Sequence, residues 1–127
     1  MILVLDTCAL LWLTLEPDSL SPKAHKLIAS SERIVCNAIS IWEIGLKVQK
    51  KRIDLGCEYG DYVNRVSNLS EIEVLPTDQF LWANSALLNW KHKDPADRIV
   101  VAQAQALKAT IISDDRIISE FYRATVG

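Results

Sequence analysis

Asp6 closes the apolar run ILVL, and Glu43 lies in AISIWEIGLK. Asp94 and Asp97 flank a Pro-Ala pair in KHKDPADRIVVAQA, while Asp114 and Asp115 follow TIIS. Carboxylates gathered at one place raise each other's pKa unless a cation compensates them. An all-oxygen donor set favours Mg²⁺ or Mn²⁺ over zinc, and Mg²⁺ takes one or two carboxylates while keeping waters for chemistry. Such a site suits hydrolysis of a phosphodiester. Zinc is a poor match, because His25 and His92 have no second histidine at ligand spacing.

Each acid also has an ordinary structural use. Asp6 is a favoured N-cap for a helix starting at Thr7, and position alone leaves both readings open. Ser40 and Glu43 have capping-box spacing, in which the serine takes the N3 amide and the glutamate reaches back. The other reading of Glu43 is a first-turn carboxylate pointing into the same crevice as Asp6. Adjacent acids such as Asp114 and Asp115 project differently, so one should reach the site and the other face water. Asp94 and Asp97 separate by capping logic: Asp94 with Pro95 forms an N-cap and N1 pair, which puts Asp97 at N3. Asp97 is therefore the expected catalytic acid and Asp94 its support.

These acids need a scaffold that brings distant segments together. Strands are expected at 2–5, 33–36, 71–75, 110–112 and 124–126, with helices at 7–15, from Pro22, at 40–51, 58–69, from Thr77 or Asp78 to about 90, 95–108 and 116–122. The run at 2–5 has no polar alternation, as befits a parallel strand buried on both faces. Alternating strands and helices predict one α/β domain over 1–127, a central parallel sheet between helical layers. Ligands in such folds bind beyond the carboxyl ends of the strands, where Asp6 and Ser113 fall.

The 127 residues are half hydrophobic and a quarter charged, which excludes disorder and low complexity. No apolar stretch is long enough to span a membrane. The start MILVLD lacks the basic region of a secretory signal. Three cysteines without C-x-x-C spacing predict reduced thiols and a cytoplasmic protein. The net charge of −2 sets up no global field for nucleic acid, although phosphate contacts can be made by local basic patches.

LDTCALLW at 5–12, SIWEIGLK at 40–47, HKDPADRIVVAQA at 92–104 and ISDDRI at 112–117 occur in an order that resembles the PIN-domain ribonucleases, and among them the VapC-type toxins of toxin-antitoxin pairs. The resemblance implies a three-layer α/β/α sandwich and an endoribonuclease dependent on Mg²⁺ or Mn²⁺, cutting by a metal-activated water. It matches Asp6, Glu43, Asp97 and Asp115 to the catalytic acids, with metal on Asp6, Asp97 and Asp115. Thr7, Ser40, Asp94, Ser113 and Asp114 would support them, and whether Asp114 or Asp115 is the fourth acid stays open. Ala96 departs from the pattern, since the family commonly has a larger residue there. The implied partners are RNA, a cognate antitoxin and a second copy in a homodimer, with no membrane.

Lys47, His92, Lys93 and Arg98 are candidate RNA contacts. The cluster Lys47, Lys50, Lys51 and Arg52 equally suits the negative end of a helix. Trp12, Trp42, Trp82 and Trp90 could stack bases or pack an interface. A haloacid-dehalogenase-type phosphatase would need a second aspartate where Cys8 stands, and a receiver domain would need an acidic pair after the first strand. A catalytically silent module on this fold and a related DNA nuclease are the remaining alternatives.

Overall fold

The computed structural model describes residues 1–127. Strand β1 (Ile2–Leu5) lies at the centre of a five-stranded, all-parallel sheet with β2 (Arg33–Asn37), β3 (Glu73–Leu75), β4 (Thr110–Ile112) and β5 (Thr125–Val126), in the order β3-β2-β1-β4-β5. The chain builds outward from β1 to β3, then crosses back to place β4 on the other side. The order therefore reverses between β1 and β4, which opens a crevice at their carboxyl ends. Asp6 and Ser113 are the first residues beyond those two ends.

Pleating sorts the central strands into two cores. Leu3, Leu5, Ile34, Cys36 and Ile112 face helices α1 (Thr7–Leu15), α2 (Pro22–Ser30), α3 (Ala38–Gln49) and α4 (Tyr59–Ser67). Val4, Val35 and Ile111 face α6 (Pro95–Leu107) and α7 (Arg116–Phe121) on the opposite side. Helix α5 (Gln79–Ala86) joins α3 and α6 through Leu81, Ile39, Ala96 and Ile99. The sheet is thus covered on both faces, as its continuous apolar strands require. The small Ala96 side chain is buried within that last cluster. No helix is long and apolar enough to cross a membrane.

Most bounds shift by one or two residues; two of the differences bear on the site and follow from contacts made elsewhere in the chain. Helix α3 starts at Ala38, not Ser40, so the expected Ser40–Glu43 capping box does not form. Asn37 caps instead, accepting from the Ile39 amide at 2.9 Å. Its amide nitrogen donates to Gln103 Oε1 at 3.0 Å, and its Oδ1 accepts from the Thr77 hydroxyl. This buried network ties β2 to α6, and it moves Glu43 from the first turn of α3 to the second.

Helix α5 ends at Ala86 rather than near residue 90. The carbonyls of its last two residues and of the loop that follows are held by Arg98, whose guanidinium donates to the oxygens of Ser85, Ala86, Leu88, Trp90 and His92. Five carbonyls use all five N–H donors of an arginine. Arg98 thus clamps the α5–α6 loop onto α6 and has no donor left for RNA, which corrects the contact expected of it.

At the start of α6 the capping prediction agrees with the structure: Asp94 accepts from the Asp97 amide at 2.9 Å, with Pro95 at N1. Asp94→Ala should lower the unfolding free energy by about 1 kcal/mol. Arg98→Lys, which keeps the charge but cannot reach five carbonyls, should cost more, on the order of 2–4 kcal/mol. Urea denaturation of the two variants beside the parent checks the order.

Candidate active site

Because β1 is buried on both faces, the residue that ends it emerges into a half-enclosed space. Asp6 is only 6% exposed. It caps α1 by accepting from the Ala9 amide at 2.8 Å, as the capping reading expects. Burial pushes its carboxyl up to about 6, although the Ser113 side chain and the Ala9 amide pull the other way; Asp97 and Asp114 raise it further. Asp6 is a buried acid facing other acids without a cation among its strong neighbours.

Asp97 approaches from α6, half-buried. Burial raises its carboxyl as well, the hydrogen bond from His92 lowers it, and Asp94 and Asp115 raise it. The His92 contact is short, Nε2 to Oδ2 at 2.7 Å. Sequence reasoning offered His92 as an RNA contact; the structure commits its Nε2 to Asp97. The capping logic that placed Asp97 at N3 did not extend to what the preceding loop would bring back onto it.

Asp114 is exposed and Asp115 half-buried, in keeping with the expectation that the two project differently. Asp114 still acts on Asp6 and on the Cys8 thiol. Asp115 caps α7 through the Ile117 amide at 2.8 Å and acts on Asp97. Its own amide donates to Ser113 Oγ at 3.1 Å, which links the two ends of this turn.

Glu43 enters from α3, half-buried. Asp6, Lys47, Asp114 and Glu43 all act on Cys8, whose pKa is raised first by burial, and this places them around one side of the crevice. Thr7 and Ser40 join α1 to α3 there by a buried hydrogen bond, Thr7 donating to Ser40 at 3.0 Å. Lys47 acts on the same thiol with the opposite sign to the acids. Lys93 is exposed, one residue ahead of Asp94.

The acids from β1, α6 and the β4–α7 turn are thus brought into one electrostatic cluster, with Glu43 reaching it from the Cys8 side. No three His, Cys, Asp or Glu side chains converge into a preformed cage. A hydrated Mg²⁺ needs none, since it is held through one or two carboxylates and retains its waters. Asp6 and Asp97 supply two such groups, each raised first by burial and then by neighbouring acids, and a divalent charge between them would favour their ionised forms. The residues fit a hard, hydrated cation.

A family model for the PIN domain matches residues 3–124. Among solved structures the chain is similar to a toxin-antitoxin complex from Klebsiella pneumoniae, with 19% identity, 98% of this chain and 95% of that chain covered, and a TM-score of 0.67. It is also similar to FitAcB from Neisseria gonorrhoeae, with 22% identity, 100% and 97% covered and a TM-score of 0.64. A structure of FitAB bound to an IR36 DNA fragment follows, with 22% identity, 98% and 90% covered and a TM-score of 0.62. No curated protein sequence matches. The order β3-β2-β1-β4-β5, the acids at its switch point and a family match over almost all its length agree that the chain belongs to the PIN domain family.

Proposed function

We propose that the chain is a divalent-metal-dependent endoribonuclease and the toxin of a toxin-antitoxin pair. The observation that carries the chemistry is the buried Asp6 and the half-buried Asp97 at the reversal between β1 and β4, both raised first by burial and then by neighbouring acids. Both would hold Mg²⁺ or Mn²⁺, with Asp115 completing the set from the α7 turn. The ion, when bound, supplies a Lewis acid at the scissile phosphate and lowers the pKa of water.

The chain's own residues set the geometry around it. Asp6 is anchored by the Ala9 amide on Oδ1, with the Ser113 side chain also acting on its carboxylate. Asp97 is held by its backbone on Asp94 and by one oxygen on His92. Glu43, on the Cys8 side of the crevice, is the group we assign to accept a proton from the attacking water. Thr7 with Ser40, and Ser113 with Asp115, keep the surrounding helices in register by hydrogen bonds. Asp114 adds negative potential, which repels a phosphate until a cation is present. Lys47 and Lys93 are the cations left to steer an RNA backbone, as point charges whose effect weakens with salt.

The toxin reading is supported by the similar fold of the Klebsiella and Neisseria proteins, whose structures are described as a toxin-antitoxin complex and as FitAB assemblies. A protein partner has apolar surface to meet. Trp42 and Trp82 flank a groove of about 510 Å³ between α3 and α5, with Ile39, Pro76 and Pro95. Phe80 and Leu87 are 69% and 82% exposed on the α5 segment. We assign this surface to the expected homodimer, and the antitoxin to the acidic crevice and the Trp12 face beside it.

Incubation of the purified protein with structured RNA and Mn²⁺, then with EDTA, tests the reading, with single-stranded DNA as a parallel substrate. Cleavage of RNA that EDTA stops is expected; cleavage indifferent to metal, or of DNA alone, would reject it. Asp97→Asn should abolish cleavage with the fold intact, whereas Asp94→Asn should lose less activity. Equal loss from both would contradict the division of roles between them.

Asp6→Asn has an additional consequence. Between the ordinary carboxyl value of 3.8 and about 6, the folded chain holds this proton while the unfolded chain releases it, so stability falls as pH rises through that window. A neutral amide removes the penalty. In EDTA, Asp6→Asn should unfold at higher urea than the parent at pH 7, by up to about 3 kcal/mol, with little difference near pH 4, and it should be inactive. A loss of stability at pH 7 would show that Asp6 is not strained.

A further inference from the structure

The metal chemistry leaves His92 without a role, yet several independent contacts fix it. The carbonyl of His92 is one of the five held by Arg98, at 2.8 Å, beside that of Trp90 at 2.8 Å. The Trp90 ring packs against the imidazole, centroids 4.9 Å apart at 51°, and stacks on Phe121 of α7 at 4.5 Å and 13°. Backbone and ring are both set before the imidazole reaches Asp97.

At the contact, an ionised carboxylate can only accept, so Nε2 carries the hydrogen. Asp97 then has its amide on Asp94 and its Oδ2 on His92 at 2.7 Å. A carboxylate held at backbone and at one oxygen has little rotational freedom, and Oδ1 is the oxygen left for a ligand. Outer-sphere hydrogen bonds of this kind orient metal-binding carboxylates and tune their affinity.

We propose that His92 is a positioning residue that orients Asp97 for the divalent cation, and that Arg98 acts through it by holding the loop on which it sits. The proposal rests on the metal reading above. A purely structural role predicts something different: the ring would matter for its packing on Trp90, and the donor would not.

Two substitutions separate the donor from the ring. His92→Gln removes the ring but places an amide N–H where Nε2 stands; His92→Leu removes the ring and the donor while keeping bulk. Binding of Mn²⁺ is read by the electron paramagnetic resonance of the free ion, with thermal unfolding in EDTA alongside. Both variants should lose similar thermal stability, having lost the same packing on Trp90. His92→Leu should bind Mn²⁺ about tenfold more weakly, and His92→Gln should bind close to the parent. Affinities equal to the parent in both variants, or equally weak in both, would overturn the positioning role. A parent protein that binds no Mn²⁺ would overturn the metal reading itself, which distinguishes the two failures. Arg98→Lys should weaken Mn²⁺ binding in the parent and leave it unchanged in the His92→Leu background, and equal weakening in both would remove Arg98 from the proposal.

Discussion

A carboxylate that the fold buries and does not neutralise lies at the centre of this molecule. Asp6 follows β1, where the apolar run ends, and β1 is the middle strand of the sheet, covered on both faces. Desolvation disfavours the charged form, and the acids facing Asp6 add to that cost. A chain selected only for stability would place an amide or a serine here. The amide of Ala9 and the side chain of Ser113 offset part of the penalty and leave a group whose remaining demand is for positive charge.

Around Asp6 the second carboxylate is held more firmly than a surface acid would be. Asp97 depends on Asp94 for its backbone, on His92 for one oxygen and on the apolar stretch Ile99 to Ala102 for the seating of α6. Arg98, the neighbour of Asp97, ties down the loop that delivers His92. Two adjacent residues thus divide the work: one faces the crevice, and the other holds the segment that orients it. A planar guanidinium with fixed donors suits that second task better than an ammonium on a flexible stem.

Much of this was legible in the sequence, for local reasons. The bounds of β1, α1 and β4 coincide with the expected ones, since the apolar residues of the two strands stop at Asp6 and Ser113 and Pro17 closes the segment of α1. Ser21-Pro22 and Asp94-Pro95 announced helix starts by capping chemistry, which is contained within four residues. The three-layer arrangement followed from alternation of strands and helices. What failed depended on distant partners. The start of α3 is decided by Asn37 bonding to Gln103 and Thr77, and the end of α5 by Arg98; His92 is only five residues from Asp97, but the loop between them folds back in a way that capping chemistry does not describe. Ser40 and Glu43 have capping-box spacing, but the box lost to a buried asparagine three residues earlier. Local spacing does not reveal such competition.

Titration of the side-chain carboxyl carbons of Asp6 and Asp97 by ¹³C NMR, with and without Mg²⁺, probes the central claim directly. In EDTA the Asp6 signal should titrate near 6, and that of Asp97 above the ordinary aspartate value. Saturating Mg²⁺ should carry both downward together, because one cation relieves both charges. An Asp6 that titrates near 4 in EDTA, or a pair that Mg²⁺ leaves unmoved, would contradict the account.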